Sequence, residues 1–156
     1  LFPKTQLKHV DRNAPHLPGQ FDFSFSGLKT SVSRYIASRR QTLGLQSGEA
    51  LPNNLVVDIC ASFQRVVVEG LLEKLFEVAQ HHGARSVGIA GGVSANTRLR
   101  SDAIKAGTRY ELPVFVPSFD LSTDNAAMIA AAGLRRFQAG GVTAEWTLNA
   151  DAALSL

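Results

Sequence analysis

GIAGGVSAN, residues 88–96, closes a short apolar run with two adjacent glycines and places an asparagine four residues after the second. The stretch ARSVGIAGG (84–92) reads as a short buried strand, and SANTRLRSDAIKAG (94–107) as the helix that comes after it. A glycine pair at a strand's end lets backbone N–H groups approach a ligand without a Cβ in the way, and a helix starting there offers unpaired donors to an anion. Asn96 adds a side-chain amide, donor and acceptor at once, suited to a hydroxyl, a carboxylate or a base edge. A tight strand-to-helix turn with a capping asparagine accounts for the same residues, because glycine-rich turns alone are weak motifs.

Working outward, the pattern on either side repeats strand and helix in alternation. FDFSFSG (21–27) alternates Phe21, Phe23 and Phe25 with Asp22, Ser24 and Ser26, the period of a half-buried strand ending in a glycine turn. Leu28, Val32, Tyr35 and Ile36 then fall at helical spacing, with Arg34, Arg39 and Arg40 on the polar side. TLGLQSGEALPNN (42–54) is a linker, closed by Pro52 and two asparagines able to cap the next element. From Val56 to about His82 apolar residues keep a helical period, and Gly83 stops it.

PVFVP (113–117) is a second short buried strand, and STDNAAMIAAAGLRRF (122–137) a capped helix. Residues 1–20, rich in proline, asparagine and glycine, form an extended lead-in, and the pattern fades into an irregular tail over 141–156. The order predicts an α/β layer fold with parallel pairing. In such sheets ligands bind beyond the carboxyl ends of the strands. That places Gly91, Gly92, Asn96 and the segment after PVFVP at one rim.

Composition bounds the class. A chain of 156 residues, 45% hydrophobic, suits one globular domain with a real core. Its one cysteine, Cys60, falls in an apolar periodic segment and reads as a small buried hydrophobe in a reducing, cytoplasmic compartment. No apolar run approaches the roughly 18 residues that span a bilayer, so no membrane is expected. The N-terminus lacks the layout of a signal peptide and begins without methionine, as a fragment would. A net charge of +3 permits contact with nucleic acid without demanding it.

Asp124, in LSTDNAAM, falls in the expected first helical turn. There a carboxylate either satisfies free N–H groups and the helix dipole, or serves as a hard oxygen ligand for a metal or a metal-bound nucleotide. The run Ala126, Ala127, Ala130, Ala131, Ala132 and Gly133 has almost no bulk, which suits a helix packed tightly against a neighbour.

Four blocks, FSFSGLKT (23–30), ASFQ (61–64), AGGVSANTRLR (90–100) and STDNAAMIAAAG (122–133), resemble in order and spacing the C-terminal half of the TsaD family. The resemblance implies the C-terminal lobe, over 21–140, of an actin-like ATPase of ribonuclease H-like architecture. It implies transfer of threonylcarbamoyl from threonylcarbamoyl-AMP to the adenosine beside the anticodon of ANN-reading tRNAs. The amine of that adenosine would attack the carbamoyl carbon of a mixed anhydride and AMP would leave. By the same resemblance Asn96 contacts the adenylate, Gly91 and Gly92 line the nucleotide, ATP or threonylcarbamoyl-AMP, and Asp124 is one ligand of an iron or zinc ion. The implied partners are tRNA, TsaB-like and TsaE-like proteins, and the protein's own N-terminal lobe.

The family's other metal ligands come from an HxxxH motif in that N-terminal lobe. Here the four histidines are His9, His16, His81 and His82, and no two stand four apart. The chain therefore carries one ligand and is expected to bind no such metal alone. His81 and His82, at a helix end, read as solvated partners of its dipole. Ser24, Ser26 and Lys29 either border the cleft or belong to a plain turn, and Arg34, Arg39 and Arg40 either meet tRNA phosphates or form a solvated face. Two rivals stand beside the transferase: a non-catalytic nucleotide-binding lobe of the same superfamily, and the metalloprotease that older descriptions made of this family. A protease needs a water-activating acid beside two histidines, a cluster the sequence does not contain.

Overall fold

In a computed structural model, the structure describes residues 2, 21, 23–141, 145 and 147–149. Apart from these positions the expected lead-in and tail lie outside the described residues. The elements are α1 (Ser26–Thr42), α2 (Asn53–His81), β1 (Val87–Gly88), a 3-10 turn (Gly92–Ala95), α3 (Thr97–Tyr110), β2 (Val114–Phe115), a second 3-10 turn (Phe119–Leu121) and α4 (Ala126–Gln138). β1 and β2 pair in parallel, Val87 with Val114 and Gly88 with Phe115, in a two-stranded sheet joined by the α3 crossover. The alternation and the parallel pairing match the α/β expectation.

The long α2 is the spine. Val68, Leu72, Phe76 and Ala79 on it pack with Val87 of β1 and with Leu99 and Ala103 of α3 into the main core. Phe76, only 1% exposed, stacks on Tyr110 with ring centroids 4.7 Å apart. A second cluster joins Ile59 and Val66 of α2 to Leu28 of α1 and to Phe2. Gly83, at φ +60°, ends the helix in a left-handed turn, as expected. Gly107 lets α3 lie against β2: a Cβ there would fall 2.8 Å from the Leu112 carbonyl oxygen and overlap the Val114 side chain.

Four expectations are corrected. FDFSFSG forms no strand over its described residues beyond a single bridge at Phe23; α1 begins at Ser26, and Phe23 and Phe25 stack on each other at 6.2 Å. Ser26 and Gly27, expected to close the strand, instead open the first turn of α1. The helix α2 begins at Asn53 with Pro52 in the capping position and no side-chain cap, so neither asparagine caps it. Cys60 is exposed, not buried, because α2 carries apolar residues around more of its circumference than its neighbours cover.

The fourth concerns α4. None of its residues is buried, a Cβ on Gly133 would meet nothing within 4 Å, and Ile129 and Phe137 are 66% and 64% exposed. The tight packing expected of its alanine run does not occur among the described residues. A second uncovered apolar surface is an open groove of about 980 Å³ bordered by Phe23, Phe25, Phe63, Leu71 and Ile89. Among the described residues no helix is long and apolar enough to cross a membrane.

Candidate functional site

The carboxyl ends of β1 and β2 open toward the same side, because the strands are parallel, and the segments leaving them build one rim. After β1, Gly91 adopts φ +80° and ψ 174°, a region essentially restricted to glycine, where another residue costs about 1–3 kcal/mol. Gly92 has ordinary torsions; a Cβ there would lie 3.8 Å from the Thr123 methyl carbon. That proximity brings the glycine turn beside the segment after β2, as the topology predicts. The two glycines thus differ: Gly91 is required by its backbone, Gly92 by proximity at most.

Asn96 has two partners. Its Oδ1 accepts from the Leu99 N–H at 2.9 Å, capping α3, and its Nδ2 donates to Gln64 Oε1 of α2 at 3.2 Å. The capping alternative is therefore real, and one amide hydrogen remains for another partner. Gln64 and Asn96 both stand at the edge of the apolar groove. Gln64 belongs to the ASFQ block, yet nothing in the sequence links it to a residue 32 positions on.

Asp124 does not lie in the first helical turn as expected: α4 begins at Ala126, two residues later. Asn125 is the cap of α4, its Oδ1 accepting from Met128 N–H at 3.0 Å, so the Asp124 carboxylate lies before the helix, exposed and without the capping role. Capping of α4 is thereby removed as a role for Asp124, while a solvated carboxylate near the helix dipole stands beside the ligand role. An exposed carboxylate is a fitting hard donor for a divalent cation, but a complete site needs more. Among the described residues no group of three or more His, Cys, Asp or Glu is placed to hold a metal. His81 and His82 are exposed at the end of α2, their rings 4.9 Å apart, and His9 and His16 lie outside the described residues.

Arg100 is the site residue the sequence reading missed. From α3 its guanidinium donates to Ser94 O at 2.9 Å and Pro117 O at 2.5 Å, and it lies 4.3 Å from the centre of the Phe119 ring. Ser94 is fully buried, and its Oγ has no partner among the described residues. Away from the rim, Arg40 donates to Gln46 O and Glu49 O and holds the linker after α1, so its guanidinium is engaged within the chain. Arg98 donates to Asp102, holding that carboxyl below the usual carboxylate range.

A family model described as TsaD, tRNA N6-adenosine threonylcarbamoyltransferase, matches residues 2–131. The chain belongs to the TsaD family. Curated relatives bearing the name tRNA N6-adenosine threonylcarbamoyltransferase include one from Koribacter versatilis, 36% identical across 99% of this chain and 45% of the relative. Another, from Anaeromyxobacter dehalogenans, is 40% identical across 99% of this chain and 41% of its own length. A third, from Porphyromonas gingivalis, is 41% identical across 81% of this chain and 35% of its own length. The chain thus spans less than half the length of these TsaD relatives. Membership in TsaD implies an actin-like, ribonuclease H-like ATPase fold, of which the described residues form four helices and a small parallel sheet.

Proposed function

We propose that this chain is the C-terminal lobe of a transferase that moves threonylcarbamoyl from threonylcarbamoyl-AMP to the adenosine beside the anticodon of ANN-reading tRNAs. The observation that carries the reading is the convergence of Gly91, Asn96 and the Thr123–Asp124 segment at the ends of two parallel strands, in a chain of the TsaD family. The glycine turn leaves the backbone open to a nucleotide phosphate, and the remaining Asn96 amide hydrogen orients the adenylate. Asp124 supplies one ligand of an iron or zinc ion, the others coming from an N-terminal lobe. When bound, that ion supplies Lewis-acid polarisation near the carbonyl under attack. ATP is the alternative nucleotide at the same turn, and TsaB-like and TsaE-like proteins are the working partners, in the cytoplasm.

The groove and α4, apolar surfaces left uncovered among the described residues, support the two-lobe reading, since apolar surface of this extent is normally covered by another part of a protein or by a partner.

Asn96→Asp in the full-length protein tests the substrate role apart from the cap. Asp caps as well as Asn, and Gln64 can turn its amide to donate to the new carboxylate, so stability should hold within about 0.5 kcal/mol, whereas Asn96→Ala loses both bonds and should cost about 1–2 kcal/mol. Both variants lose the amide donor, and binding of threonylcarbamoyl-AMP should weaken by about 1–3 kcal/mol. Calorimetric titration checks this; parent-like affinity in Asn96→Asp would leave Asn96 as a cap alone.

A further inference from the structure

Arg100 lies on α3 one turn beyond Asn96, half-buried, and hydrogen-bonds to two segments that lie side by side where Gly92 approaches Thr123. Its bonds to Ser94 O and Pro117 O are, among the described residues, the hydrogen bonds that join the glycine turn to the segment after β2. The backbone links between the strands stop earlier, at Val87 N–H to Pro113 O and Ile89 N–H to Phe115 O. Phe119 opens the second 3-10 turn and covers the guanidinium face; Ser122 Oγ, bonded to Ser118 O at 3.0 Å, carries that turn on to Thr123 and Asp124. A planar cation with donors fixed in a fork and an aromatic plate against its face is a geometry lysine does not reproduce. Both acceptors are neutral carbonyls, so the pairing fixes position without consuming the charge of a carboxylate.

We propose that Arg100 is a positioning residue, clamping the turn that bears Asn96 to the segment that bears Asp124 and so setting the spacing between the nucleotide side and the metal side of the site. The clamp acts through Ser94 and Pro117 and touches neither substrate nor metal. Its functional consequence rests on the transferase reading above.

The test compares parent, Arg100→Gln, Arg100→Lys and the milder Phe119→Leu in the full-length protein, by hydrogen exchange and by kinetics with threonylcarbamoyl-AMP and unmodified tRNA. Loss of two charge-assisted bonds should speed exchange on the order of tenfold in residues 91–96 and 117–124 together, while α2 keeps its protection. The rate constant kcat should fall on the order of tenfold to a hundredfold, as for groups misplaced by about an ångström. Lysine should not restore it, and Phe119→Leu, which leaves the hydrogen bonds, should show the same effects in smaller measure even where Arg100→Gln folds poorly. Exchange rising in one segment only, or in neither, overturns the clamp. Exchange rising in both with parent-like kcat overturns the positioning role. An inactive parent would sink the transferase reading instead, and the exchange results would still decide the clamp.

Discussion

Asp124→Asn in the full-length protein is expected to melt like the parent while carrying well under one metal ion per chain. The structure separates the two properties more cleanly than the sequence does. The cap of α4 is Asn125, bonded through Oδ1 to Met128 N–H and through Nδ2 to Thr123 O. Substitution at Asp124 therefore breaks no cap and removes only the interaction of an exposed charge with the helix dipole, at most about 1 kcal/mol. A neutral amide oxygen is a poor replacement for a carboxylate on a divalent ion that needs charge compensation. Changes to residues that merely support a metal's ligands cost about 10–100-fold in affinity or activity, and loss of a ligand itself should cost at least that. Elemental mass spectrometry and tRNA modification assays check both properties. Full metal occupancy with parent activity would remove Asp124 from the site.

Phe76→Ala should produce the largest loss of stability, about 3–5 kcal/mol, the range for emptying a buried aromatic position. Phe76 is 1% exposed and sits where α2, β1 and α3 meet, stacked on Tyr110. Its burial is complete within this chain, so the effect does not depend on what covers the groove or α4. These same three elements carry Gln64, the glycine turn, Asn96 and Arg100, but Tyr110 closes α3 at the end away from Asn96, so the cavity would open in the core at the far end from the rim. Urea denaturation of the full-length protein, monitored by circular dichroism with Phe76→Leu as a smaller truncation, measures it. A loss under about 1 kcal/mol would mean that the core closes without this side chain.

Much of this arrangement was legible in the sequence where one periodic element met one unambiguous terminator. The apolar period of α2 and its stop at Gly83 are of that kind, as is the strand, glycine pair and helix around Gly91. Asn96 was legible as a residue able both to cap and to bind, and it does cap. Elements whose form depends on a neighbour were not. FDFSFSG alternates like a strand but has no strand partner among the described residues, so the start of α1 takes Ser26 and the phenylalanines line a groove. The alanine run of α4 carries the pattern of close packing with nothing described against it.

Asp124 and Asn125 are both competent caps, and one residue of register decides which performs the role. The winner is fixed by where the 3-10 turn Phe119–Leu121 releases the chain, and no local sequence pattern encodes that. Arg100 escaped for a related reason. Its partners are backbone carbonyls, one of them 17 residues away at Pro117, and carbonyl oxygens carry no residue-type signature.

The most direct test of the central claim is the formation of threonylcarbamoyladenosine in unmodified tRNA, read by nucleoside mass spectrometry. Threonylcarbamoyl-AMP and the partner proteins are supplied either with the full-length protein or with the 156-residue chain alone. A chain that provides one lobe and one metal ligand should give no product, and the full-length protein should give it readily. Product from the isolated chain at the full-length rate, or none from the full-length protein with its partners present, would contradict the account.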